Sequence, residues 1–297
     1  MRKPEYLFHP RQAVHRLVRE RRGARELERV ELPWGTPLLI RPDEAIGRAI
    51  WRTGVYDVVV SEAILRLAER GETAVDVGAN IGVMTSAMGV AVGAAGRVLC
   101  FEPHPGLSVE LSENITRWRE ALSWEHVERS ELALSEHPGE VRLLASAGFD
   151  ANRGTATLAP LSRNEGRPTS QFHVVATTLD LVLGSATIGV LKVDVEGHEL
   201  EVFRGASALL SSGRVRDIIF EEYHSYPSPV TDALKSCGYQ VFLIRKGLLG
   251  PVLQSPVDGR LQLDWETPNY LATMDANRAV EKLGPLGWHS LRRRPRA

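Results

Sequence analysis

The chain has little of what would mark a disulfide-stabilised or membrane-embedded protein. It holds 2 cysteines in 297 residues, Cys100 and Cys237, which is too few for a disulfide framework. No apolar run approaches the roughly 20 residues that a bilayer-spanning helix needs. The opening MRKPEYLFHPRQ lacks the apolar region of a secretory signal. We therefore predict a cytoplasmic protein with no membrane partner.

An excess of charge of one sign is also missing. The formal net charge is −1, so the composition gives no reason to expect a nucleic-acid partner. Arginines are nevertheless concentrated near the start of the chain, and the chain closes with LRRRPRA. We predict a solvated, partly helical arm at residues 10–29 and a frayed basic tail. A docking surface for an acidic partner or substrate carrier is the alternative.

Strand-like and helix-like segments alternate over most of the chain. This alternation predicts an α/β fold with a mainly parallel sheet covered on both faces. We expect an N-terminal helical and β extension at 1–54, a main domain at 55–278 and a basic tail at 279–297. Short β-like runs at 139–178 predict a β insertion in the main domain. Ligands of such sheets lie at the carboxyl ends of the strands.

The first polar turn follows a buried strand in TAVDVGANIG, residues 73–82. It carries Gly78 and Gly82, but not the three glycines of the G-x-G-x-x-G turn that binds a dinucleotide pyrophosphate. Asp76 before the turn suits a cationic ligand, and Glu102 at the end of the next strand suits a ribose diol. S-adenosylmethionine, a sulfonium nucleoside without phosphate, fits this pattern better than NAD. Tight packing of the glycines and a cap or turn role for Asp76 are the alternatives.

A second polar cluster follows a later strand in LKVDVEGHELEVFRGA. Asp194, Glu196, His198 and Glu199 lie within six residues, and three interpretations are open. His198 acts as a general base tuned by the carboxylates, or Asp194, Glu196 and His198 bind a divalent cation. The third is that the glutamates only stabilise a helix N-terminus. A metal is the less favoured cofactor.

Four motifs, GVYD, VDVGANIG, CFEPHP and LKVDVEGHE, together resemble those of the FkbM-type S-adenosylmethionine-dependent methyltransferases, over roughly Val30 to Met274. The resemblance implies a class I methyltransferase fold, a Rossmann-like, mostly parallel seven-stranded sheet with a reversed final hairpin, here QVFLI and NYLATM. It also implies methyl transfer to a hydroxyl oxygen of a sugar, polyketide or other natural-product scaffold. The partner would be a small-molecule acceptor, free or carrier-bound. The oligomeric state is left open, a homo-oligomer included.

The resemblance also implies roles for individual residues. Asp76, Gly78 and Asn80 would contact the methionyl part, Glu102 the ribose, and the Ala133–Ser135 turn the adenine. The predicted cofactor-binding residues are Tyr56, Asp76, Gly78, Asn80, Gly82, Glu102, Ala133, Ser135 and Asp194. His104 stands where the family pattern FEPNP has asparagine, and its role is left open.

For catalysis, an alcohol must lose its proton, and a positioned base accelerates such a step by about 10²–10⁴-fold. We predict His198 as that base, oriented by Glu196 or Asp194, with His224 as the second candidate. Two functional alternatives stay open at this point. One is a nicotinamide-dependent oxidoreductase, and the other is a protein that binds S-adenosylmethionine without catalysis.

Overall fold

The structure is a computed structural model that describes residues 4–8, 26–145, 149, 151–159, 170–256 and 268–292. The predicted helix at 10–29 lies largely outside these residues, and its described end belongs to a strand. The strands are β1 (Glu28–Glu31), β2 (Pro37–Ile40), β3 (Thr73–Val77), β4 (Arg97–Phe101), β5 (Val127–Ser130), β6 (Ala133–Leu134), β7 (Gly139–Ala145), β8 (Ala156–Ala159), β9 (Ser170–Thr177), β10 (Ile188–Val193), β11 (Val215–Glu221), β12 (Gln240–Lys246), β13 (Pro251–Gln254) and β14 (Asn269–Thr273).

The helices surround these strands. Within the described residues they are α1 (Pro4–Phe8), α2 (Ala45–Thr53), α3 (Val58–Leu67), α4 (Val83–Val92), α5 (Pro105–Leu122), α6 (Leu179–Leu183), α7 (Glu199–Arg204), α8 (Ser207–Ser211), α9 (Pro229–Ser236), α10 (Ala276–Leu283) and a 3₁₀ turn at His289–Leu291. No helix in this part of the chain is long and apolar enough to cross a bilayer.

The main sheet has the order β13-β12-β14-β11-β10-β3-β4-β5. Strands β5, β4, β3, β10 and β11 pair in parallel, and β14 runs antiparallel to both of its neighbours. The predicted class I methyltransferase fold is confirmed, including the reversal near the end of the chain. β13 adds an eighth strand at the edge, which the sequence analysis did not predict.

The central strands are buried because helices cover both faces of the sheet. Every residue of β10 is buried, although one of them is Lys192. One apolar core lies between the sheet and α3, α4 and α5, and a second lies between the sheet and α7, α8 and α9. A parallel sheet covered in this way aligns its strand ends at one edge, where the polar turns follow β3, β4, β10 and β11.

The β insertion forms a separate four-stranded sheet of order β6-β9-β7-β8. The two short strands that follow α5 belong to different sheets, because β5 joins the main sheet while β6 pairs in parallel with β9. Residues 160–169, within the insertion, lie outside the described residues.

The C-terminal segment, predicted as a basic tail at 279–297, is packed against the main domain over residues 279–291. Trp288 and Leu291 are buried in the core. The buried carboxylate of Glu62 on α3 accepts hydrogen bonds from the backbone of His289 and Ser290 at 2.8 and 2.6 Å. Residues 293–297 lie outside the described part.

Candidate active site

One cavity lies over the carboxyl ends of β3, β4, β10 and β11. Its walls also include the start of α3 and residues 152–158 of the insertion. Six of the nine predicted cofactor-binding residues line it: Tyr56, Gly78, Asn80, Glu102, Ala133 and Asp194. Asp76, Gly82 and Ser135 do not.

One end of the cavity combines a fixed carboxylate with an apolar wall. The two carboxylate oxygens of Glu102 accept hydrogen bonds from the backbone N–H groups of Asn80 and His104, at 2.8 and 2.9 Å. Burial raises the pKa of Glu102 to about 7. The apolar lining there includes Phe101, Leu107, Leu134, Leu143 and Leu158. An apolar wall beside a carboxylate that accepts hydrogen bonds suits a base and its ribose diol.

The first turn and the later motif are in direct contact through Gly78. Its φ is +76°, and a Cβ there would lie 1.9 Å from the carbonyl oxygen of Asp194, so no other residue fits. The buried ammonium of Lys192 joins the same two turns. It donates to the carbonyl of Gly78 at 2.9 Å and lies 3.2 Å from Oδ2 of Asp194 and 3.4 Å from Oδ1 of Asp76.

The three predicted cofactor-binding residues that do not line the cavity pack behind its walls. Asp76 is fully buried and accepts a hydrogen bond from Thr85 at 2.6 Å, beneath the turn. A Cβ on Gly82 would lie 2.7 Å from Trp118 and 2.8 Å from Leu111, so this glycine permits close packing of α4 on α5. Ser135 bonds to Nε2 of His198 at 2.9 Å, which joins the turns after β6 and β10.

Neither predicted histidine lines the cavity. His198 turns toward Ser135 and, on its other side, lies 3.7 Å from Glu201, and burial lowers its pKa. The side chain of His224 is 76% exposed and bonds to Glu222 at 2.8 Å. Glu222 points away from the cavity while Glu221 faces it, as the alternation along a strand requires. These placements do not support a base role for either histidine.

Carboxylates dominate the other end of the cavity. Four of them line it, from three elements: Asp57, Asp194, Glu196 and Glu221. The hydroxyl of Tyr223 bridges the two glutamates, 2.9 Å from Glu196 and 3.2 Å from Glu221. Burial and the neighbouring carboxylates raise the pKa of Glu196 to about 7 and that of Glu221 to about 9. Such a group favours a cationic ligand, because added positive charge relieves the repulsion.

The backbone is strained around this cavity. Four non-glycine residues in the described part have positive φ, and three of them line the cavity: Asp57 (φ 37°), Asn80 (φ 51°) and Glu196 (φ 53°). A left-handed conformation costs a side-chain-bearing residue roughly 1–2 kcal/mol. Strain of this kind is concentrated at functional sites, where it fixes the direction of a side chain.

The insertion covers the cofactor end of the cavity through Arg153. This guanidinium pairs with both carboxylate oxygens of Glu110 at 2.8 and 2.9 Å, and its backbone carbonyl accepts a hydrogen bond from Asn80 at 3.3 Å. The backbone of Ala45 donates to that of Ala151 at 2.9 Å, which ties the insertion to α2.

Several cavity residues were not predicted as site residues: Asp57, Asn152, Arg153, Tyr223 and Asn269. Asp57 and Tyr223 carry a usable signal, since they stand in GVYD and in FEEY, the segment at the end of β11. Asn269 bonds to Asp57 at 3.1 Å across more than 200 residues, which no local pattern predicts. No group of three or more His, Cys, Asp or Glu side chains suited to a metal ion occurs in the described ranges.

Comparisons with known proteins fit this architecture. A family model described as the methyltransferase FkbM domain matches residues 76–241. A search of curated proteins found no match. Among solved structures, the chain is similar to a methyltransferase FkbM from Methylobacillus flagellatus KT, at 18% identity and a TM-score of 0.45, covering 69% of this chain and 43% of that one. The chain thus spans less than half the length of that relative.

The search of solved structures also returned the following two proteins. One is an S-adenosylmethionine-dependent O-methyltransferase from Thermotoga maritima, at 15% identity and a TM-score of 0.45, covering 83% of this chain and 77% of that one. The other is Aeropyrum pernix fibrillarin with natively bound S-adenosyl-L-methionine, at 13% identity and a TM-score of 0.38, covering 84% of this chain and 94% of that one.

Proposed function

This chain belongs to the FkbM methyltransferase family, whose model matches more than half of it. From that premise we propose that it is an S-adenosylmethionine-dependent methyltransferase and that it methylates a hydroxyl oxygen of a neutral or cationic small molecule. The observation that carries the proposal is one cavity with two chemically different ends. Glu102 and an apolar wall form one end, and Asp57, Asp194, Glu196 and Glu221 form the other.

The first end suits the nucleoside part of the cofactor. Glu102 keeps lone pairs for a ribose diol after accepting its two backbone hydrogen bonds. Lys192 fixes Asp194 and the carbonyl of Gly78 relative to each other. These groups would hold the methionyl part, and the bound cofactor would supply an electrophilic methyl group on a positively charged sulfur.

The second end supports the choice of acceptor. Among the described residues that line the cavity, Lys192 is the one lysine, and Arg153 is already paired with Glu110. An acceptor with a phosphate or carboxylate beside its hydroxyl would therefore meet like charges. Sugars, polyketides and their amino derivatives carry hydroxyls without that penalty. A scaffold of this kind from natural-product metabolism is the acceptor we propose.

The contribution of the protein to the reaction is alignment and charge. Holding the acceptor oxygen in line with the methyl group replaces an encounter in solution, and such orientation supplies much of the rate enhancement. The carboxylates lower the free energy of a cationic reaction centre and accept the hydroxyl proton. The insertion around Arg153 excludes water from the cofactor end.

The test is a methyl-transfer assay with isotopically labelled S-adenosylmethionine over matched acceptors. Each scaffold would be offered as the neutral polyol, its amino derivative and its phosphate ester, with products identified by mass spectrometry. We expect one methyl group on oxygen of a neutral or amino acceptor, and no product from the phosphate ester. Transfer to nitrogen or carbon, or a preference for the phosphate ester, would contradict the proposal.

A further inference from the structure

We propose that Glu196 is the catalytic base of this cavity, and that Tyr223, oriented by Glu221, positions the base. This inference rests on the proposed function and concerns the same site. It replaces the two histidines, which do not line the cavity, with a carboxylate that does.

The two oxygens of Glu196 have different surroundings. Oε2 accepts the hydrogen bond from Tyr223 at 2.9 Å. Oε1 has no hydrogen-bond partner among the described residues and lies on the side of Gly154, where a hypothetical Cβ would be 3.6 Å away. The left-handed backbone of Glu196 fixes this direction. One oxygen is therefore held by the protein, and the other is open to an acceptor beneath the insertion.

The charges around Glu196 come from every element that packs against it. Its own turn contributes Asp194 and Glu199, β10 contributes Lys192, and the end of β11 contributes Glu221 and Tyr223. Tyr56, at the start of α3, faces the same carboxylates. Burial and Asp194 raise the pKa of Glu196, while Tyr223 and Lys192 act in the opposite direction. The result, about 7, is the range in which a carboxyl group can both take and release a proton at neutral pH.

The step balances without any further reactant. The acceptor O–H bond breaks as its proton moves to Oε1 of Glu196, the new O–CH₃ bond forms, and the electron pair of the S–CH₃ bond stays on sulfur. Glu196 then returns to its ionised form by releasing the proton from Oε1 to solvent as the product leaves. A protonated Glu221 donates to Tyr223 and leaves the phenolic hydrogen pointing at Glu196.

The first experiment needs no acceptor. The free protein, labelled with ¹³C at the glutamate side-chain carboxyls, would be titrated by NMR as wild type, Glu196→Gln and Tyr223→Phe. We expect two carboxyls with midpoints of about 7, those of Glu102 and Glu196, and the Glu196 midpoint is the one that is missing in Glu196→Gln. Loss of the phenolic hydrogen bond should move this midpoint up by about one unit in Tyr223→Phe. Persistence of both midpoints in Glu196→Gln, or an unmoved Glu196 midpoint in Tyr223→Phe, overturns the network.

The second experiment uses the best acceptor of the methyl-transfer assay. Glu196→Gln should lower kcat by about 10²-fold or more and leave the calorimetric affinity for S-adenosylmethionine within about threefold. Glu201→Gln on α7 is the matched control, because its side chain faces His198 outside the cavity. A wild-type kcat in Glu196→Gln, or a kcat that falls in His198→Ala but not in Glu196→Gln, overturns the assignment. If the wild-type protein transfers no methyl group, the proposed function is contradicted instead. The NMR titration still tests whether Tyr223 sets the pKa of Glu196.

Discussion

Replacing Gly78 by alanine tests the contact that joins the two halves of the site. The new Cβ would lie 1.9 Å from the carbonyl oxygen of Asp194, where real Cβ contacts are at least 3.0 Å, so the two turns must separate by about 1 Å. The left-handed φ of +76° adds roughly 1–2 kcal/mol of strain, and the overpacking adds roughly 1–3 kcal/mol. We expect the free energy of unfolding to fall by about 2–5 kcal/mol.

The functional loss should exceed what this destabilisation alone would cause. A misplacement of about 1 Å at a site can cost about 10²-fold, and Lys192 binds both turns that move. Calorimetric titration with S-adenosylhomocysteine, together with thermal melting, would measure both effects.

Gly35→Ala is the control for Gly78→Ala. It has a similar φ of +91° but open space around the new Cβ, so it carries the strain without the collision. Ligand affinity within about threefold of wild type is expected for this control. Wild-type affinity for S-adenosylhomocysteine in Gly78→Ala would show that the close approach of Asp194 does not require a glycine at this position.

Three further predictions test separate features. Since Glu102 has a pKa of about 7 in the free protein and a diol binds its ionised form, affinity for S-adenosylhomocysteine should rise as pH increases from about 6 to about 8, and Glu102→Gln should flatten that rise in calorimetry. Arg66→Met should lower stability by about 3–5 kcal/mol in chemical denaturation because it leaves buried Glu62 unpaired, whereas Arg97→Met, which removes a surface pair, should cost less than about 1 kcal/mol. Gly82→Ala should lower the melting temperature through the collision with Trp118, while the protein that remains folded binds S-adenosylhomocysteine normally. Weakened binding by the folded protein would instead support the predicted contact between Gly82 and the cofactor.

Local patterns predicted the sheet because its central strands are continuous apolar runs that end at polar turns. They did not predict α10, in which only Ala279 and Leu283 are buried and the remaining residues are mostly polar or charged. That helix is held by tertiary contacts, including Arg278 with Asp217 at 2.9 Å and with Glu69 at 2.8 Å. The edge strand β13 is similarly short and half-exposed, so it carries no strong pattern.

The sequence predicted which strand ends form the site, but it did not predict the directions in which the side chains at those ends point. The spacing of KVDVEGHE placed Glu196 and His198 at the same turn, but the left-handed backbone of Glu196 sends these two side chains to different places. Glu196 faces the cavity, while His198 binds Ser135. This difference in direction between Glu196 and His198 depends on backbone angles that no residue type in the motif requires.

The most direct test of the account is calorimetric titration of the wild-type protein and Glu102→Gln with S-adenosylmethionine and, separately, with NADH. The cavity predicts saturable binding of S-adenosylmethionine, weakened by about tenfold or more in Glu102→Gln because charged hydrogen bonds to the diol are lost. It predicts no binding of NADH, since the turn after β3 lacks the glycines that a pyrophosphate needs. Binding of NADH at the same site, or affinity for S-adenosylmethionine that does not depend on Glu102, would contradict it.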